Sequence, residues 1–200
     1  MQTIEILADE NERIEERTRM STINIPIEQI KKVPALLGEV DVLKVLQLLP
    51  GVKSGGEGSS GLYVRGGGPD QNLILLDGAP IYNASHLFGF FSTFNADAIK
   101  NVELTKGGFP ARYGGRLSSV IDINMKDGNM RKYNVEGSVG LIASKILIEG
   151  PIWNEKTSFL FTARRTYLDL LLGPIISAAT IGEGSGGYYF YDLNLKEIIA

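Results

Sequence analysis

Two rhythms of apolar and polar residues run along this chain, and one gives way to the other near residue 130. In the first part the apolar stretches are short. Ile23, Ile25 and Ile27 alternate within STINIPI, which predicts a short strand, with Pro26 favouring a sheet edge. Glu28 to Lys32 reads as a helical turn that stops before Pro34. In GEVDVLKVLQLL, Gly38 to Leu49, the residues Val42, Leu43, Val45, Leu46 and Leu49 share one helical face. Glu39 and Asp41 sit in its first turn, where the helix dipole favours acids, and Pro50-Gly51 ends it. Strands are predicted at Leu62 to Arg65, Asn72 to Leu76, Val102 to Lys106 and Val120 to Met125. Asp77-Gly78 and Lys126 to Asn129 supply turns, and Ala96 to Lys100 a helical turn. Residues 21–129 therefore predict an α+β domain of short mixed strands and short helices.

The second part alternates over longer stretches. Tyr133, Val135, Val139, Leu141 and Ala143 oppose Lys132, Asn134, Glu136 and Ser138. Phe159, Phe161, Ala163 and Tyr167 oppose Ser158, Thr162, Arg164 and Thr166. Tyr189, Tyr191, Leu193 and Leu195 oppose Asp192, Asn194 and Lys196. Segments of about ten alternating residues are long enough to cross a bilayer as tilted strands. Asn154 to Lys156 is a short connection and Gly173 to Gly187 a long one, and that asymmetry is the habit of outer-membrane barrels. A soluble sandwich also alternates. The barrel reading is favoured by the strand lengths and by Phe159, Tyr167, Tyr188, Tyr189 and Tyr191 near strand ends.

Composition excludes more than it assigns. The 200 residues carry 20 basic and 23 acidic side chains, a net charge of −3, which leaves no basic field to recruit nucleic acid. There is no cysteine, hence no disulfide frame or thiolate metal site, and the single histidine has no HxxxH or EF-hand spacing around it. The longest apolar run, Leu170 to Ile181, is broken by Gly173, Pro174 and Ser177 and is too short for a spanning helix. The polar, charge-rich residues 1–20 read as an arm.

GEGSSG, Gly56 to Gly61, spells GxGxxG. A dinucleotide site needs a strand before the glycines and a helix after them. Here a predicted helix precedes and a strand follows, and no Lys-Ser/Thr completes a P-loop. No GxSxG occurs, and no acid pair has informative spacing, so no catalytic residue and no cofactor is assigned. His86 reads either as a ligand contact or as a hydrogen-bonded surface histidine. Arg65 reads either as surface charge or as a buried partner of Glu103 or Asp77.

Leu62-Tyr63-Val64-Arg65-Gly66-Gly67 followed by Asn72 to Gly78 (NLILLDG) resembles the core motif of the plug domain of TonB-dependent outer-membrane receptors. Asp41 to Val52 resembles the plug helix before it. Lys106 to Arg116 (KGGFPARYGGR) resembles the late plug motif, and Val120 to Asn124 the strand leading into the barrel. The motifs come in order, and His86 to Ser92 and Glu149 to Pro151 look most like receptors of the Bacteroidetes type.

That resemblance implies a plug inside a barrel of roughly 22 strands, of which residues 130–200 would be the first, incomplete part. It implies uptake of a siderophore, cobalamin or a glycan through the outer membrane, energised by the TonB protein. TonB pairs by strand addition with a box before the plug, in the periplasm. Thr3, Ile4, Glu5, Ile6 and Leu7 stand at that place, with Glu5 departing from the usual apolar residue. Tyr82, Asn83, His86, Phe88, Phe90 and Phe91 become candidate contacts for a small nutrient ligand. Arg65, Gly66, Gly67, Asp77, Gly78, Arg112, Gly114, Gly115 and Arg116 become the structural plug motif. A surface lipoprotein is a further partner that such receptors use. The chain is expected to be the N-terminal piece of a receptor, starting after its signal peptide. The competing readings are a soluble binding module with a plug-like fold, and a nucleotide-binding enzyme.

Overall fold

The computed structural model describes residues 21–33, 38–56, 61–153, 156–170, 173 and 188–199. Thr3 to Leu7 lie outside the described residues.

Strand β1 (Thr22–Pro26) runs straight into helix α1 (Ile27–Ile30), and helix α2 (Val42–Leu46) follows. A small hairpin pairs β2 (Val52–Ser54) with β3 (Leu62–Val64). Then come β4 (Asn72–Leu76), β5 (Ala79–Pro80), β6 (Ser85–His86) and β7 (Phe91–Ser92). The long pair β8 (Ile99–Thr105) and β9 (Ser119–Met125) completes the first unit. Its five-stranded sheet has the order β1-β8-β9-β4-β5, with β4 parallel to β9 and the other pairs antiparallel.

One face of this sheet is covered by the two helices and the hairpin. Ile30, Val42, Leu43, Leu46, Val64, Val102, Leu104, Ile121 and Ile123 are closed off from water there. Burial at this scale is the main force holding such a small unit together. Turns are supplied by left-handed residues, Arg65-Gly66 after β3 and Asp77-Gly78 between β4 and β5. Gly67 permits a close approach: a Cβ there would lie 2.4 Å from Ser118 Oγ, whose hydroxyl donates to the Val64 carbonyl at 2.7 Å.

The second unit is one antiparallel sheet of four strands in sequence order: β10 (Asn134–Val139), β11 (Ala143–Pro151), β12 (Thr157–Thr166) and β13 (Tyr191–Ile199). It wraps against the first unit, and its polarity is inside out. Ser158, Thr162, Arg164 and Thr166 of β12 are buried, whereas Val135, Val139, Tyr191, Leu193 and Leu195 are exposed. Ala98 and Met125 of the first unit pack on Leu147 and Leu160 of the second. Phe91 packs with Ile142, Leu168 and Phe190 at the opposite end of the seam. The link between the units passes Gly128, where a Cβ would come within 2.6 Å of the Phe159 carbonyl oxygen.

Several expectations change. The helix predicted from Gly38 is confined to Val42–Leu46, because Asp41 is its N-cap: Oδ1 accepts from the amides of Leu43 (2.9 Å) and Lys44 (3.2 Å). A strand, β2, stands between the helix and the glycine loop, and a strand follows it, so the helix that a nucleotide site needs after Gly61 is absent among the described residues. The stretch 132–143 is not one strand. It ends at Val139 and reverses where the Gly140 amide donates to the Ala143 carbonyl at 2.8 Å. Ala143 thereby begins β11 on the buried side. Strand β11 escaped prediction because Ile146, Leu147 and Ile148 are consecutive and mask its alternation.

Candidate functional site

The seam between the two sheets is where the charged residues meet. Inward-facing side chains of the wall strands supply cations: Lys145 on β11, Arg164 on β12 and Lys196 on β13. The first unit supplies most of the acids, and the pairs fall into three places along the seam.

At one end Arg164 is 3% exposed and makes a fork. Its Nε (2.9 Å) and Nη2 (2.5 Å) donate to Asp192 Oδ2 on the neighbouring strand. Nη2 also donates to the Ser92 carbonyl at 2.6 Å, and Nη1 lies 3.7 Å from Glu39. His86 donates from Nε2 to the other oxygen of Asp192 at 2.6 Å, and its ring stacks on Phe190 with centroids 4.0 Å apart. In the middle, Lys145 pairs with Glu39 at 2.9 Å and reaches Asp97 at 3.9 Å, while Lys31 pairs with Asp97 at 2.7 Å. Burial pushes the Asp97 carboxyl up, but the Lys31 hydrogen bond and the charge of Lys145 outweigh it and hold it below its ordinary value.

At the far end Lys196 meets Asp77 (3.1 Å), Asp127 (3.0 Å) and the Met125 carbonyl (3.1 Å). Burial raises Asp127, and hydrogen bonds from Lys196 and Lys100 more than reverse this. Asp77 has a second role, as its Oδ1 accepts from the Met125 amide at 2.8 Å. Asp122 is pushed up by burial, although Tyr113 donates to it at 3.3 Å and Arg112 lies nearby. Arg112 itself donates to the Tyr113 hydroxyl at 2.7 Å and lies over its ring.

The candidate ligand residues are not brought to one surface. Tyr82 is 86% exposed and lines a cleft with Asn83, Ser85, Leu43 and Asn72. Phe91 is core, and Phe90 packs edge-on against it under the Lys44 ammonium. His86 faces the wall strands through Asp192 and Phe190. The Phe88 side chain lies outside the described residues. Arg65 is not a buried partner of Asp77 or Glu103. It is exposed in its left-handed turn and donates to Ser21 Oγ at 2.9 Å, while Asp77 takes Lys196. Arg65 lies near Lys106, whose ammonium is shifted down by burial and by that positive neighbour, and donates to the Pro50 carbonyl. Gly114 and Gly115 are exposed, and Arg116 lines a groove with Tyr82 and Pro80.

Glu39, Lys145, Arg164, Asp192 and Lys196 contribute to the seam, and the sequence hinted at only three of them. Arg164, Asp192 and Lys196 stand on the polar face of alternating strands, a face that a barrel turns inward.

A family model described as the TonB-dependent Receptor Plug Domain matches residues 15–120, just over half of the chain. The chain belongs to the TonB-dependent receptor plug family. The ferrienterobactin receptor of Escherichia coli (strain K12) is 30% identical over 123 residues, 52% of this chain and 16% of its own length. The ferric enterobactin receptor of Pseudomonas aeruginosa is 29% identical over 118 residues, 47% of this chain and 16% of its own. The chain thus spans about a sixth of the curated relatives it matches. Among solved structures, the siderophore receptor PirA of Pseudomonas aeruginosa superposes with a TM-score of 0.54 at 22% identity, over 74% of this chain and 27% of that one. The copper transporter OprC gives 0.54 at 18% identity, over 74% and 23%. These superpositions reach beyond the plug match, and β10–β13 form an antiparallel sheet like the start of such a receptor's barrel, left unclosed in this chain. The fold class is therefore a plug with a mixed sheet and short helices, followed by the first barrel strands.

Proposed function

We propose that this plug gates energy-dependent uptake of a ferric siderophore through the outer membrane. The carrying observation is the inside-out wall sheet. Its polar face meets the plug through the ion pairs Lys145–Glu39 and Lys196–Asp77, and its apolar face, with Leu193 and Leu195, is bare. An apolar band of this kind belongs against lipid. It disfavours a soluble binding module, whose bare apolar face would drive aggregation.

The iron class is favoured over cobalamin or a glycan because two relatives are named enterobactin receptors. Tyr82 and Asn83 offer an open aromatic and amide surface for such a ligand. Thr3 to Leu7 would serve as the periplasmic strand offered to TonB. The Bacteroidetes-like features of residues 86–92 would go with a lipoprotein partner if the cargo were a glycan.

The test is uptake of ferric enterobactin by cells expressing the whole reading frame, with and without a functional TonB complex. TonB-dependent accumulation is the expected result. Absence of binding, together with binding of an oligosaccharide panel, would move the cargo to glycans.

A further inference from the structure

The loop that carries the candidate ligand residues is closed at its base by the β6–β7 pairing and tied to its surroundings through both backbone groups of Ser92. The Ser92 amide donates to Asp41 Oδ2 at 2.7 Å, and the Ser92 carbonyl accepts from Arg164 Nη2 at 2.6 Å. Asp41 is at the same time the N-cap of α2. The loop's other arm is fixed through His86, which shares Asp192 with Arg164. One guanidinium on the wall therefore holds both arms of the loop, directly at Ser92 and through Asp192 at His86. It is itself buried and packed over Phe190 at 5.3 Å. A guanidinium suits this task because its planar fork donates in several fixed directions at once, which an ammonium cannot do.

We propose that Arg164 is a positioning residue for the ligand loop: it locks residues 82–92 to the wall in the shape that presents Tyr82 and Asn83 to the ligand. The proposal rests on the uptake reading above for its ligand, but the lock itself can be measured without one.

Ser92 provides the reporter. It is 1% exposed, its hydroxyl makes no hydrogen bond, and only its backbone is used by the lock. Ser92→Cys places a thiol there in a sequence with no other cysteine among these 200 residues. In cells expressing the whole reading frame, a membrane-impermeant maleimide should label this thiol slowly. Adding Arg164→Gln should speed labelling by about tenfold or more, since reactivity of a buried group follows the local opening equilibrium. Arg164→Lys, which keeps the charge without the fork, should fall between. Ferric enterobactin, the probe, should bind Arg164→Gln with a dissociation constant raised about tenfold and with an unchanged number of sites.

If Arg164→Gln prevents barrel assembly, seen as loss of heat-modifiable migration, His86→Gln detaches one arm only and should speed labelling a few-fold. Protection unchanged in every assembled variant overturns the proposal. So does equal loss of protection in Lys196→Gln at the far end of the seam, which would mean general loosening. If the wild-type protein does not bind the probe, the siderophore reading fails while the labelling result still decides the lock.

Discussion

The plug sheet and the wall sheet are built from the same alternation with opposite consequences. In the plug, β8 and β9 put apolar residues inward, and Val102, Ile121 and Ile123 disappear from the surface entirely. In the wall, β12 and β13 put Ser158, Thr162, Arg164, Asp192 and Lys196 inward and leave Tyr191, Leu193, Leu195 and Ile199 bare. Strand pairing is continuous in both, apart from one register shift between Ile99 and Asn101 in β8, so backbone hydrogen bonding does little to distinguish them. What differs is the medium each face is meant for. An apolar face is stable against another apolar face or against hydrocarbon. The polar face of the wall is stable only because the plug fills it with acids and carbonyls that match its cations.

The largest expected effect tests the dry half of this contrast. Ile121→Ala, at a side chain 0% exposed, should destabilise the plug by about 2–5 kcal/mol. Hydrogen exchange of the β8 and β9 amides in the detergent-solubilised protein would report it. The wall half is tested by Leu195→Arg, at a residue 73% exposed. Facing lipid, it should cost about 2–4 kcal/mol in vesicle unfolding when near the midplane. On a water-exposed sandwich the same change would stay within about 0.5 kcal/mol, so a near-zero result removes the barrel reading.

Asp41→Ala tests the plug side of the junction, since Asp41 holds the amide of Ser92, the residue whose carbonyl meets Arg164 of the wall. Loss of the α2 cap alone costs about 1 kcal/mol, and the freed Ser92 amide adds to it. Asp41→Asn, which keeps one capping oxygen but turns an NH2 toward the Ser92 amide, should recover only the cap's share in a denaturant titration.

The smallest effect is the acid sensitivity of the seam's ion pairs. Asp127 and Asp97 have folded pKa values below the ordinary 3.8. Their contribution is fully present above that value and is lost as pH falls through the lowered ones. Asp122 has a raised value and works the other way, gaining stability as pH falls through it. Asp127 is nearly half exposed, so its share is screened to under about 1 kcal/mol. Lys196→Gln should flatten that share of the acid loss in thermal melts taken from about pH 5 to about pH 3.

Much of the plug was legible because its signals are local. The Ile23-Ile25-Ile27 alternation, the Leu43-Leu46 stripe and the Asp77-Gly78 dipeptide each describe an element within a few residues. The wall strands with clean alternation, β10, β12 and β13, were legible for the same reason. Strand β11 was not, since Ile146-Leu147-Ile148 fits a helix or a buried strand equally well. The same ambiguity hid the reversal at Gly140, which depends on a hydrogen bond to Ala143 and on the Tyr167 amide reaching the Ile142 carbonyl from β12's end.

The sequence by itself determined that the chain has two rhythms and a plug-like order of motifs. It also placed Arg164, Asp192 and Lys196 on one polar face each. Only the tertiary structure decided which acids those faces meet. Arg164 is 72 residues from Ser92, Asp192 is 106 from His86, and Lys196 is 69 from Asp127. No local pattern encodes pairs at such separations. They follow from curling one sheet around the other, which draws the polar face partly or wholly out of water and makes its buried charges, Arg164 above all, require partners.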